Sequence, residues 1–325
     1  MKKEQFTKKF HNFGDGNVSY IEWNDDKGLP GFQFSHATGF NSLTYRKLLE
    51  PLSNEFHIRA IDARGHGFTE TKAMPKKMYD WVVYRDDLIR SVENFVERKG
   101  KPIILGGHSM GGATIMQVAA SRPELVSGLV LIEPVLIPKK NLNLIKLGRK
   151  FPIFKFLPFI KEALSRADST LKRRREFPNK EMIKRSYKGR GAFTTWVDGF
   201  LDDYIDGGTK TEGNYHILTC HPEWEAATFS SWKHNAMEAI KKINCPITLL
   251  QGEIGSTTQE PGIKLLKKQD PSGTFKIIEN SSHFLPMEYP EIVQKEIKKI
   301  KNRVWVILKF FEFISKSKII ELRLP

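Results

Sequence analysis

Short apolar runs ending in Gly, Pro or Asp recur along the chain. They alternate with longer stretches whose apolar residues repeat every three or four positions. The runs predict strands over 18–23, 32–36, 57–61, 102–106, 128–132, 246–250 and 274–278. The longer stretches predict helices over 43–52, 81–98, 111–120, 262–269 and 290–299. Several runs are almost continuously hydrophobic, as a strand covered on both faces should be. Strand alternating with helix predicts an α/β fold built on a mostly parallel, doubly wound sheet.

The alternation fails in two places. Residues 138–239 show amphipathic segments but no convincing strand, and the stretch is far too long for a loop. It reads as a helical cap inserted into a core made of residues 1–137 and 240–300. After a helix expected to end near Lys301 comes an appended segment, 301–325, in which nine of the eleven residues 304–314 are apolar. An extra core helix, a surface-docking segment and an appendage left by a sequence error all fit it.

Composition narrows the class. With 325 residues, 40% hydrophobic and 27% charged, the chain is globular, and fibrous or low-complexity readings are excluded. Its apolar runs fall short of the roughly 20 residues a membrane helix needs. The start, MKKEQFTKKF, lacks the apolar core of a secretory signal. Cys220 and Cys245 have neither disulfide-framework nor metal-ligand spacing, so a cytoplasmic setting without metal or cofactor is expected.

The net charge of +15 is unevenly placed. Residues 139–190 contribute +13 and residues 301–325 contribute +4, leaving the rest at about −2. The stretch 139–190 also carries apolar runs laced with lysine, a combination suited to peripheral membrane contact; a solvated helix face is the plainer alternative. Nucleic acid is not expected, because no recognition motif accompanies Lys172, Arg173, Arg174 and Arg175.

The candidate chemistry begins at Gly107, His108, Ser109, Met110 and Gly111. This G-x-S-x-G follows a predicted strand and opens a predicted helix, the context that makes the motif specific. A sharp strand-to-helix turn strains the nucleophile's backbone and tolerates only small residues two positions away. Ser109 then projects near the positive end of the helix dipole, and the Met110 N–H is free to hold an oxyanion.

From about residue 17 to 300 the chain resembles the α/β-hydrolase fold superfamily. Residues 34–40, which read FSHATGF, are similar to that family's His-Gly oxyanion loop, with Ala37 in place of the usual Gly. The resemblance implies that Thr38 supplies the second oxyanion N–H. Residues 61–68, IDARGHGF, resemble the family's Asp-x-Arg-Gly-His-Gly turn, whose role is mostly structural. Residues 280–288, NSSHFLPME, match its catalytic-histidine loop and make His283 the expected base. His36 and His108 are better explained as packing or hydrogen-bonding residues.

The acid departs from the family pattern. The usual Asp positions, after the strand that begins at Pro246, hold Gly255 and Ser256. Two carboxylates are candidates. Glu133 ends the strand after the nucleophile's helix, where some members, haloalkane dehalogenases among them, carry their acid. Glu253 follows Gly252 on the usual strand. Glu133 is preferred, because sites in open α/β sheets gather at the strands' carboxyl ends; Glu253 is the alternative.

A serine at 109 argues against the dehalogenase and epoxide hydrolase activities of this fold, which use an aspartate nucleophile. It predicts hydrolysis of a carboxylic ester, of a hydrophobic or lipid-like kind, through an acyl-enzyme. A carbon–carbon bond hydrolase or cofactor-free perhydrolase on the same residues is an alternative, and so is a non-catalytic binding protein. Phe193, Trp196 and Phe200 are expected either to line the pocket or to form the core of the cap. Oligomeric state is not legible.

Overall fold

The structure, a computed structural model, describes residues 6–234 and 236–321. Its strands are β1 (Thr7–Asn12), β2 (Asn17–Trp23), β3 (Gly31–Ser35), β4 (His57–Ile61), β5 (Ile103–His108), β6 (Val126–Ile132), β7 (Glu176–Phe177), β8 (Thr209–Glu212), β9 (Tyr215–Leu218), β10 (Ile247–Ile254) and β11 (Thr274–Ser282). The helices are α1 (Arg46–Leu49), α2 (Val82–Lys99), α3 (Met110–Ser121), α4 (Lys139–Lys150), α5 (Pro158–Leu171), α6 (Lys180–Tyr187), α7 (Phe200–Gly208), α8 (Pro222–Phe229), α9 (Ala236–Ala239), α10 (Glu260–Gln269), α11 (Leu285–Glu288) and α12 (Pro290–Glu321).

Eight strands form one sheet in the order β1-β2-β4-β3-β5-β6-β10-β11. β1 and β2 pair antiparallel, as do β2 and β4; every later pair is parallel. The two-residue period of a strand sends alternate side chains to opposite faces. Ile103, Leu105, Leu129 and Leu131 therefore join a core with Leu88 and Val92 of α2 and Ile115 of α3. Ile104, Val130 and Ile132 join a second core with Leu48 of α1 and Val293 and Ile297 of α12. Both faces are covered, so the central strands carry almost no polar positions, and the expected doubly wound α/β sheet is what forms.

All seven predicted strands are present, with ends shifted by a few residues. β1 was not anticipated. It is an edge strand whose lysines and mostly exposed positions hide the strand period, while guarding the edge against pairing with another chain. The expectation of no strand within 138–239 is corrected: β7, β9 and β8 make a small antiparallel sheet. Its strands are short, and β8, Thr-Lys-Thr-Glu, is nearly all exposed, so no apolar run announces it. The turn Gly213-Asn214, with Gly213 at φ +58°, was the available hairpin signal.

The last helix also differs from expectation. Rather than ending near Lys301, α12 continues to Glu321. Val304 is buried against Gly128 of β6, whereas Trp305 and Val306 face outward. Residues 322–325 lie outside the described residues. Among those described, no helix is long and apolar enough to cross a membrane.

Candidate active site

Ser109 sits between β5 and α3 with φ +56° and ψ −114°, a conformation that L residues hold only when the surroundings impose it. The neighbouring glycines show how it is imposed. A Cβ on Gly111 would lie 2.1 Å from the carbonyl oxygen of Ser35, and one on Gly107 would lie 2.6 Å from the Gly111 backbone. The helix start is thus pressed against the end of β3, and the serine hydroxyl projects from the crowded turn.

His283 follows β11 directly. Its Nε2 lies 3.0 Å from Ser109 Oγ, and its Nδ1 lies 3.1 Å from Oε2 of Glu133. Three residues from three strand ends, separated by up to 174 positions in sequence, therefore meet in one hydrogen-bonded line. Glu133 is fully buried and, like Ser109, held at positive φ, +47°. Its Oε1 accepts from the Gly252 N–H at 2.6 Å and the Ser256 hydroxyl at 2.7 Å; Oε2 accepts from the Thr257 N–H at 3.0 Å. These donors fix the plane of the carboxylate.

The loop where the family's acid is usually found thus supplies donors rather than a carboxylate. Ser256 and Thr257 were not foreseen; their signal was that this loop is polar and small exactly where the usual Asp is missing. Thr257 Oγ1 also bonds the Glu133 carbonyl at 3.0 Å and stands 3.3 Å from His283 Nδ1. Glu253 is elsewhere: it is exposed and accepts from the Asn280 N–H at 2.9 Å, bracing the loop before His283.

Thr38 is buried at the end of β3, and Met110 is the first residue of α3. Among the described hydrogen bonds neither donates its N–H to a protein acceptor. The first N–H groups of a helix have no partner within it, which leaves that of Met110 for an incoming oxygen. Ala37 donates its N–H to Tyr45 Oη at 3.1 Å. Tyr45 in turn meets His108 Nδ1 at 2.7 Å, and His108 Nε2 donates to the His283 carbonyl at 2.7 Å. This buried chain joins the loop carrying Thr38 to the loop carrying His283. Glu288 fixes the latter from the other side by accepting from the Ser282 N–H at 2.7 Å and the Ser282 hydroxyl at 2.6 Å.

The other histidines are structural in geometry. His36 Nδ1 donates to the Ala37 carbonyl, and its Nε2 accepts from the Ala63 N–H. His66 Nε2 accepts from the Gly39 N–H. Burial pulls His36 down to about 4 and His66 down to about 3, and it lowers His108 well below the ordinary histidine value. Asp62 holds the N–H groups of Ser42 and Phe68, and Arg64 grips Asp87 through two hydrogen bonds of 2.8 Å. The turn at 61–68 is therefore a scaffold.

Aromatic side chains from within residues 138–239 meet rings beside His283. The rings of Trp196 and Tyr204 pack edge-on against Phe40, Phe193 packs on Trp196 and Tyr204, and the ring of Phe284, next to His283, lies tilted 6.2 Å from those of Trp196 and Phe40. Phe200 is fully buried in the core. Arg173, within the basic run 172–175, turns inward to Glu225 at 2.7 Å. Glu225 is nearly fully buried, and burial raises its carboxyl above the usual range against the pull of Arg173. It packs so closely on Gly39 that a Cβ there would stand 2.5 Å from its Oε1. Among the described residues no group of three or more His, Cys, Asp or Glu side chains could hold a metal ion.

A strained serine at a strand-to-helix turn, facing a histidine just after the last strand of a mostly parallel sheet, defines a class. Residues 30–295 match the alpha/beta hydrolase family, and the chain belongs to it. It is an α/β-hydrolase enzyme. Monoglyceride lipase of Rattus norvegicus is 30% identical over 90% of this chain and 88% of its own length; that of Homo sapiens is 28% identical over the same shares. Among solved structures, E-2-(acetamidomethylene)succinate hydrolase superposes with a TM-score of 0.72 at 18% identity, covering 91% of this chain and 99% of its own. That likeness extends to the fold.

Proposed function

We propose that the protein hydrolyses carboxylic esters with an apolar acyl group through a Ser109–His283–Glu133 triad and an acyl-enzyme. The observation that carries this reading is the line of contacts at 3.0 and 3.1 Å from Ser109 through His283 to Glu133. His283 Nε2 takes the proton of Ser109 Oγ as the oxygen attacks the ester carbonyl. The N–H groups of Thr38 and Met110 receive the oxyanion, and Glu133 stabilises the imidazolium. His283 returns the proton to the leaving alcohol; water then repeats the cycle on the acyl-enzyme and frees the acid.

In this reading residues 138–239 form a cap on a core of residues 1–137 and 240–300, and its rings at Phe193, Trp196 and Tyr204 wall the acyl site. The aromatic lining beside His283 supports an apolar acyl group. Similarity to monoglyceride lipases over most of both chains supports a lipid-like ester. A series of p-nitrophenyl esters of increasing chain length, with a monoacylglycerol alongside, tests it. The expected result is kcat/KM rising from acetate to medium and long acyl chains. A maximum at acetate, or turnover only of substrates bearing a carboxylate, would overturn the substrate class.

A further inference from the structure

Helices α4 and α5 pack on each other: Leu142, Ile145, Ile160 and Leu164 are buried, and Gly148 lies against Ile160 and Leu164. Gly148 permits the close approach, since a Cβ there would lie 2.5 Å from Ile160 Cγ2. The turn between the helices behaves oppositely. Phe156 is 84% exposed and Ile153 is 73% exposed, the highest values among the described large hydrophobic side chains; Phe151 and Leu157 are exposed as well. Packing does not explain them, because the hairpin's core is complete without them.

The charge around this knob has one sign. Residues 139–161 contain seven Lys and Arg and no Asp or Glu. Lys140, Lys146, Lys150 and Lys161 are exposed, and Lys150 Nζ lies 5.6 Å from the ring centre of Phe151. A nucleic acid or an acidic protein would satisfy the cations but leave the aromatic and aliphatic tips in water. An anionic bilayer satisfies both at once: the tips enter the boundary between headgroups and acyl chains, and the lysines rest among lipid phosphates with their stems along the apolar zone.

We infer that the tip of the α4–α5 hairpin, around Phe151, Ile153, Phe156 and Leu157, docks the protein on the surface of an anionic lipid bilayer. Helix α5 packs along α8, whose Glu225 touches Gly39 of the loop that carries Thr38. The hairpin is therefore linked through α8 to the loop that carries Thr38. The surface does not depend on which ester Ser109 cleaves.

Co-sedimentation of the full chain with vesicles tests the inference. Binding is expected to phosphatidylcholine vesicles containing phosphatidylglycerol, weakening as salt rises, and not to phosphatidylcholine alone. The double variant I153S/F156S should lose about tenfold or more in vesicle affinity while keeping its thermal midpoint and its turnover of a soluble short-chain ester. K146E/K150E should weaken binding to anionic vesicles and reduce its salt dependence. The inference is overturned by equal binding to neutral and anionic vesicles, by no binding to either, or by I153S/F156S binding as the parent does. Parent and I153S/F156S both retained on heparin, with neither on vesicles, would assign the patch to a soluble polyanion.

Discussion

Replacing Glu133 with Gln separates the two carboxylates that the sequence offers as the acid. The Glu133 carboxylate lies 3.1 Å from His283 Nδ1. At an effective dielectric of about 20, a unit charge pair at that spacing is worth about 5 kcal/mol once the imidazolium forms. Losing it should slow acylation by roughly three to four orders of magnitude. The amide adds a second fault. Its NH2 must take either the Oε1 position, against the Gly252 N–H and the Ser256 hydroxyl, or the Oε2 position, against the Thr257 N–H and His283, so one set of donors is left facing a donor. Glu253 is exposed and braces only the Asn280 N–H, so E253Q should stay within about threefold of the parent. Initial rates on one p-nitrophenyl ester, with circular dichroism as the control for folding, compare the variants. A folded E133Q within about tenfold of the parent, or an E253Q as impaired as E133Q, would refute the reasoning.

Two further outcomes follow from the packing. G111A should lower the unfolding free energy by roughly 1–3 kcal/mol and depress kcat, because its Cβ meets the Ser35 and His36 backbone and must push α3 away from the oxyanion loop; parent-like urea midpoint and kcat would contradict this. Stability should also fall on mild acidification. His36 and His234 are held down to about 4 and His66 to about 3 by burial, so between about pH 6.5 and 4 the unfolded chain binds protons that the folded one refuses. Each contributes on the order of 2 kcal/mol of destabilisation between about pH 7 and 5. Urea midpoints at the two pH values measure it, and an unchanged midpoint would be inconsistent with buried neutral rings.

Ser109 stood out in the sequence because it sits in a strained turn bounded by glycines, and His283 because residues 280–288 resemble a catalytic-histidine loop; the structure brings the two side chains together. The sheet was legible because strands buried on both faces leave runs of hydrophobic residues. What escaped depends on contacts distant in sequence. Nothing local marks Ser256 and Thr257 as donors to a carboxylate 123 and 124 positions away. Nothing local turns Arg173 inward while its neighbour Arg174 stays exposed; only the buried Glu225 does that. β1 and β8 escaped because exposed, lysine- and threonine-rich strands carry no hydrophobic period, and β7 and β9 because two and four residues are too few to show one. The end of α12 escaped because Val304 carries the buried face of Ile297 and Ile300 past Lys301.

The central claim is that Ser109 is a nucleophile activated by His283. Incubation of the full chain with a fluorophosphonate, followed by intact mass and peptide mapping, tests it most directly. A single covalent adduct on Ser109 is predicted, abolished in S109A and strongly slowed in H283A. No adduct on the folded protein, or an adduct on another serine that persists in S109A, would contradict the account.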